Sequence, residues 1–118
     1  MAKTAEKKKW IEASKNGLVI TLATYYTQGT SQSLDVTSQL QFWVTDSKLF
    51  LPGGSSKAKI IGFYDLMSKD DDKDSVTVKL YVRYQIGSYL YEITVNDMDG
   101  LILPNEHAVQ IRGCKIAQ

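Results

Sequence analysis

Asp70, Asp72 and Asp74 stand at the first, third and fifth positions of a short run, the spacing with which an EF-hand loop begins to ligate Ca²⁺. The rest of that loop is missing. Ser75 occupies the sixth position, where glycine must turn the chain, and Tyr81 stands where a bidentate glutamate closes the site. Flanking helices are not readable either, so Lys69 to Asp74 reads as a solvated acidic loop. No metal and no other cofactor is expected. His107 follows Glu106, and a histidine with a carboxylate neighbour can act as a general base. On an extended segment, however, successive side chains point to opposite sides, which places Glu106 badly for orienting His107. Cys114 has Arg112 and Lys115 nearby, and cations lower a thiol's pKa, but its strand position reads as packing. A phosphate-binding glycine loop, a zinc pattern and a Gly-Xaa-Ser-Xaa-Gly elbow are all absent from the sequence. The expectation is a protein that is not an enzyme, with no catalytic residues.

Three other groups suit binding. Lys7, Lys8 and Lys9 run into Trp10, and Lys79, Tyr81 and Arg83 alternate along one strand face; both mix cations with aromatics, as single-strand nucleic-acid platforms do. Charge is also segregated. Residues 1–16 carry five lysines against two glutamates, and residues 65–75 carry five aspartates (Asp65, Asp70, Asp71, Asp72, Asp74) against two lysines. Opposite patches of this kind can join copies head to tail. Finally, Trp43 and Phe50 fall on the side of their segment opposite its other apolar residues. Either Trp10 and Ile11 of an N-terminal helix cover them, the favoured arrangement, or they form a patch awaiting a partner.

The elements that must position these groups are mostly strands. Val76, Val78, Leu80, Val82, Tyr84 and Ile86 alternate with polar residues, the period of a half-buried strand. Gly87-Ser88 then reads as a two-residue type II′ turn. Closing there pairs Ile86 with Tyr89, Tyr84 with Tyr91, Val82 with Ile93 and Leu80 with Val95, and sets Arg83 opposite Glu92 on the other face. A slip of one residue would undo both matches. Tyr84, Tyr89 and Tyr91 thereby belong to the core face, and Tyr81 stays beside Lys79 and Arg83 outside.

Upstream, Thr4 to Lys15 predicts a short helix stopped by Asn16-Gly17. Its apolar residues are few, so it must dock to be stable. Leu18 to Tyr26 is apolar on both faces, as a central or doubly covered strand would be. Leu34 to Thr45 alternates, with Leu34, Val36, Leu40, Phe42 and Val44 on one face. Asp46-Ser47 turns the chain so that Val44 meets Leu49 and Phe42 meets Leu51. Lys57 to Met67, Leu101 to Leu103 and Ala108 to Ile116 complete about eight strands, with loops at 52–56, 98–100 and 104–107.

The predicted fold is therefore all-β: an antiparallel sandwich or barrel of about eight strands, jelly-roll-like or a small barrel, with one short N-terminal helix. Residues 1–17 form a basic helix or arm, and residues 18–118 the β domain. With 118 residues there is room for one core. A formal net charge of +1 gives no global attraction to nucleic acid or membrane. No apolar run approaches the ~20 residues of a membrane helix, the start lacks a secretory apolar core, and a lone cysteine fits a reducing compartment. A cytoplasmic or virion location is expected. The functional expectation is a non-catalytic, self-associating structural subunit contacting itself and other proteins, such as a capsid, decoration or tail component of a virus or phage. The alternatives are a small barrel binding single-stranded nucleic acid or a nucleotide-like ligand through Lys79, Tyr81, Arg83 and the Lys7–Lys9 cluster, or a compact inhibitor of a larger partner. The contact residues expected are Lys7, Lys8, Lys9, Trp10, Trp43, Phe50, Asp70, Asp71, Asp72 and Asp74.

Overall fold

The hairpin forms in the register its pattern dictates. In the computed structural model, which describes residues 2–28, 32–54 and 77–112, β4 (Thr77–Ile86) and β5 (Tyr89–Asn96) are antiparallel. Ile86 faces Tyr89, Tyr84 faces Tyr91, Val82 faces Ile93, Leu80 faces Val95 and Arg83 faces Glu92. Gly87 has φ 62° while Ser88 keeps a negative φ, which is the type II′ arrangement. Tyr84 is buried and stacks on Tyr91 with ring centroids 5.3 Å apart.

β1 (Leu18–Gln28) lies antiparallel to β4 on the other side, with a register shift between Ile20 and Leu22. β2 (Ser33–Asp35) pairs with Thr24 to Tyr26, and β7 (Val109–Arg112) pairs with Leu90 to Glu92. The strand order is β2-β1-β4-β5-β7. The sheet has two edges and does not close into a barrel, so the antiparallel β-fold with an N-terminal helix is present in its open form. Leu18, Ile20, Ala23, Tyr25, Leu80, Val82 and Tyr84 line its inner face and make one core with the layer above.

That layer departs from expectation. Of the strand predicted over Leu34 to Thr45, only β2 and a bridge at Thr45 are extended; Thr37–Trp43 is a helix, α2. The apolar residues in this segment satisfy two periods at once. Val36, Leu40 and Val44 recur every four residues and all three are buried in the core, as a helical stripe requires. Asp35 favours the helical outcome, because its Oδ1 accepts from the Thr37 backbone N–H at 2.9 Å and the Thr37 hydroxyl at 2.6 Å, an Asx turn that leads the chain into the helix.

The Asp46-Ser47 turn does form. Both residues have positive φ, 55° and 63°, and Thr45 and Lys48 exchange backbone hydrogen bonds of 2.8 and 3.0 Å. Because a helix precedes it, the Val44–Leu49 and Phe42–Leu51 pairs are not made. Instead β3 (Leu49–Leu51) pairs with β6 (Leu101–Leu103): Leu49 with Leu103, Phe50 with Ile102 and Leu51 with Leu101. The leucines of this small sheet face the core.

α1 (Ala2–Ser14) ends as predicted. Asn16 takes the left-handed conformation at φ 56°, its N–H bonds Ala13 O, and Gly17 N–H bonds Glu12 O at 2.8 Å, a Schellman stop. α1 docks on α2 and β1 through Ala5 and Glu12, not through its large apolar residues. Trp10 is 75% exposed and Ile11 44%, so they do not cover Trp43 and Phe50, which are 39% and 65% exposed. The strand predicted over residues 57–67, the acidic loop over 69–74 and Cys114 lie outside the described residues.

Candidate functional site

The outer face of the five-stranded sheet carries Lys79, Tyr81, Arg83 and Gln85 from β4, flanked by Leu22 and Thr24 of β1 and by Leu90, Glu92 and Thr94 of β5. Arg83 and Glu92 face each other by register, but they are joined through Tyr81. Arg83 Nε donates to the Tyr81 hydroxyl at 3.2 Å, and that hydroxyl donates to Glu92 Oε1 at 2.9 Å. The guanidinium carbon lies 6.0 Å from the Tyr81 ring centroid, within cation–π reach. The expected Arg83–Glu92 pair is thus a three-residue relay in which Tyr81 is the bridge. Lys79 lies two positions further along the same strand face.

The lysine cluster of α1 divides in the structure. Lys8 turns inward: its Nζ donates to the Phe42 carbonyl at 2.6 Å and sits 5.3 Å from the Phe42 ring. Lys7, Lys9 and Trp10 remain exposed. Trp43 packs edge-on against Phe42 at 5.9 Å. Phe50 and Ile102, a cross-strand pair, stand together on the outer face of the small sheet at 65% and 57% exposure, and Lys48 precedes Phe50 by two residues. Asp70, Asp71, Asp72 and Asp74 lie outside the described residues, so the charge-segregated pair of patches has only its basic half here. Among the described residues there is no cluster of three or more metal-ligating side chains.

His107 corrects one expectation. The chain turns at Glu106-His107, bringing Glu106 Oε1 within 3.7 Å of His107 Nε2, but both side chains are more than 80% exposed. Solvent screens so exposed a pair, which holds His107 only weakly.

Sequence reasoning missed the groups that hold these faces in place. Where β2 stops, the edge of β1 is completed by side chains. Leu18 N–H donates to Glu12 Oε1 at 2.9 Å, Ile20 N–H to Gln41 Oε1 at 2.7 Å, and Ala23 N–H to Thr37 Oγ1 at 2.8 Å, while Gln41 Nε2 donates to Leu18 O at 3.3 Å. Glu12 also accepts from Ser47 Oγ at 2.6 Å and Ser47 N–H at 3.1 Å, with Lys15 Nζ 3.4 Å away. Burial pushes the Glu12 carboxyl pKa up, but the Ser47 hydroxyl, the Leu18 and Ser47 amides and the Lys15 charge together outweigh it, and the pKa falls below the usual value. The Thr37 hydroxyl and amide likewise hold Asp35 low. Burial raises Tyr84, whose hydroxyl accepts from the Asn105 N–H at 3.3 Å. The sequence signal available for Glu12 and Gln41 was slight: each is a polar residue in a helix at the spacing of its buried stripe.

Comparison with known proteins gives consistent matches. Residues 1–104 match the family described as DnaJ-like protein C11, C-terminal. A Dictyostelium discoideum protein named DnaJ homolog subfamily C member 11 homolog is 34% identical, over 89% of this chain and 20% of its own length. A Schizosaccharomyces pombe protein, an uncharacterized J domain-containing protein, is 32% identical, over 92% of this chain and 18% of its own length. The chain thus spans about a fifth of each of these two relatives. No solved structure matches it. These similarities overturn the expectation of a virus or phage particle subunit: the matching sequences are J-domain proteins of eukaryotes, and amphipathic aromatic and charged faces are not specific to particle subunits.

Proposed function

Since the chain belongs to the DnaJ-like protein C11 C-terminal family, we propose that it is a protein-contact domain that binds a partner without carrying out a reaction. The observation that carries this reading is the Phe50–Ile102 pair. Two large apolar side chains stand side by side and mostly exposed on a sheet whose inner leucines already fill the core. Such a pair gains from burial by a partner, at about 25 cal/mol for each Å² of apolar surface removed from water. Lys48, exposed and on the same side of the chain as Phe50, complements a negative charge. The partner segment is therefore apolar with acidic flanks.

Photo-crosslinking tests this in the full-length protein in its own cells, with a benzophenone amino acid placed at Phe50, at Ile102 and, as a control, at Ser14. Discrete protein adducts at Phe50 and Ile102 but not at Ser14 are expected. An adduct at twice the protein's own mass would identify the partner as a second copy. Equal labelling at all three positions, or none, would overturn the proposal.

A further inference from the structure

The outer face of the five-stranded sheet opens, beside the turn of the hairpin, into a cavity of about 470 Å³ lined by Thr21, Leu22, Arg83, Gln85, Ser88 and Leu90. Several independent features converge there. The register shift in β1 falls between Ile20 and Leu22, at the cavity wall, and bulges of this kind re-aim side chains next to binding sites. Thr21, at the shift, donates its hydroxyl to the Arg83 carbonyl at 3.0 Å and ties the two strands together. Arg83 is held by its Nε on the Tyr81 hydroxyl, which is itself anchored on Glu92. Its two Nη nitrogens have no partner among the described residues. Gln85 is likewise oriented, donating Nε2 to Gly87 O at 2.7 Å. Leu22 and Leu90, both half-buried, form apolar walls.

A positioned guanidinium with free terminal donors matches the two oxygens of a carboxylate. The leucine walls fit the methylenes or an apolar neighbour of the group that carries it. Glu92, reached through Tyr81, repels a doubly charged phosphate more strongly than a singly charged carboxylate. We propose that this cavity is a recognition site for a carboxylate of a protein partner, supplied by a glutamate or aspartate side chain next to apolar residues or by a chain terminus, with Arg83 as the pairing group. The proposal rests on the reading of the chain as a protein-contact domain and names a chemical requirement of its partner. It concerns the outer face of the other sheet, not that of Phe50, so a failure of one surface can be told apart from a failure of the other.

The test is titration of the ¹⁵N-labelled chain, followed by amide and Arg83 Nε–H shifts, with four probes. They are a capped leucine-rich hexapeptide containing one glutamate, its glutamine analogue, an all-leucine hexapeptide with a free C-terminal carboxylate, and inorganic phosphate. Saturable shifts confined to Thr21, Leu22 and 83–90 are expected with the glutamate peptide, with at least tenfold weaker binding of the glutamine analogue and at least tenfold loss on Arg83→Gln. Ser88→Tyr, which adds bulk to the cavity lining and leaves Arg83 in place, should cause a similar loss and covers the case in which Arg83→Gln folds poorly. Stronger binding of the free-terminus peptide would support the site with the chain terminus as its source. Phosphate binding as tight as the peptides, shifts elsewhere on the sheet, or no shift with any probe would each overturn the proposal. An empty cavity combined with Phe50 adducts would overturn only this site. Saturable peptide binding without Phe50 adducts would overturn only the Phe50–Ile102 surface.

Discussion

The β4–β5 hairpin and the edge of β1 beyond β2 are both stretches of strand backbone that need partners, and they obtain them in opposite ways. In the hairpin every partner is another strand residue within twenty positions, and eight consecutive pairs share one register. Along β1 from Leu18 to Ala23 the partners are mostly single side chains, Glu12, Gln41 and Thr37, brought from two helices. Redundancy protects the hairpin, since losing one cross-strand pair leaves the others in register. The β1 edge has little: each side chain there satisfies groups that nothing else reaches. The hairpin is thus built to tolerate change on its outer face, where the Arg83 cavity lies, while the β1 edge is built to hold α1 and α2 fixed.

If that contrast is right, the largest effect should come from Glu12. Glu12→Ala leaves the Leu18 amide and the Ser47 amide and hydroxyl without their acceptor in a buried setting, and should cost about 3 kcal/mol, given the strength of hydrogen bonds to a charged group. Urea unfolding would measure it. Glu12→Gln keeps one acceptor oxygen and should lose less. The two also differ in their response to acid. The folded pKa of Glu12 lies below its unfolded value, so its contribution is complete above the unfolded pKa and is lost as pH falls through the folded one. The native chain should therefore exceed Glu12→Gln in stability at neutral pH and converge with it in acid. A gap that persists unchanged at low pH would show that the Glu12 charge is not what holds this edge.

Gln41 tests the same edge at the next position. Its amide both accepts from the Ile20 N–H and donates to the Leu18 carbonyl, copying a strand neighbour with one side chain, and it is almost fully buried. Gln41→Leu keeps the volume and the helix propensity but strands two buried backbone groups, which should cost about 2 kcal/mol. Hydrogen exchange should report it locally, with Ile20 exchanging faster while the β4–β5 amides keep their protection. Uniform acceleration across the whole sheet would mean that the edge is coupled to the hairpin, and the contrast would fail.

Legibility from sequence follows the same division. The hairpin was readable because its partners are close along the chain and its turn type fixes the register, down to Tyr84 on Tyr91 and Arg83 across from Glu92. The Asp46-Ser47 turn and the Asn16-Gly17 stop were readable for the same reason, each being local backbone chemistry. The segment from Leu34 to Val44 was not, because Val36, Leu40 and Val44 fit a strand face and a helix stripe alike; what decides between them is which surface they meet. That surface, the inner face of β1 and β4, lies far away in sequence. The candidate site divides likewise. Its Lys79, Tyr81 and Arg83 row came from alternation, whereas the cavity needs Thr21 and Leu22 from a strand some sixty residues earlier and a bulge that no local pattern announces.

The smallest effect should fall on the hairpin turn itself. Gly87 has φ 62° at the first central position of a type II′ turn, a conformation that costs an L-residue roughly 1–2 kcal/mol, and a methyl group added there would meet only the Asn16 Cβ at an ordinary 3.8 Å. Gly87→Ala should thus destabilise the chain by about 1.5 kcal/mol through backbone strain alone, without steric repacking. Because eight cross-strand pairs remain to hold the register, the Tyr84–Tyr91 ring contacts should persist unshifted in nuclear Overhauser spectra. The shape of the Arg83 cavity, two residues from the turn at Gln85 and one at Ser88, should persist with them. If Gly87→Ala instead cost as much as Glu12→Ala, or displaced the Tyr84–Tyr91 pair, the register would depend on the turn and not on the pairs. The hairpin would then be no more redundant than the edge of β1.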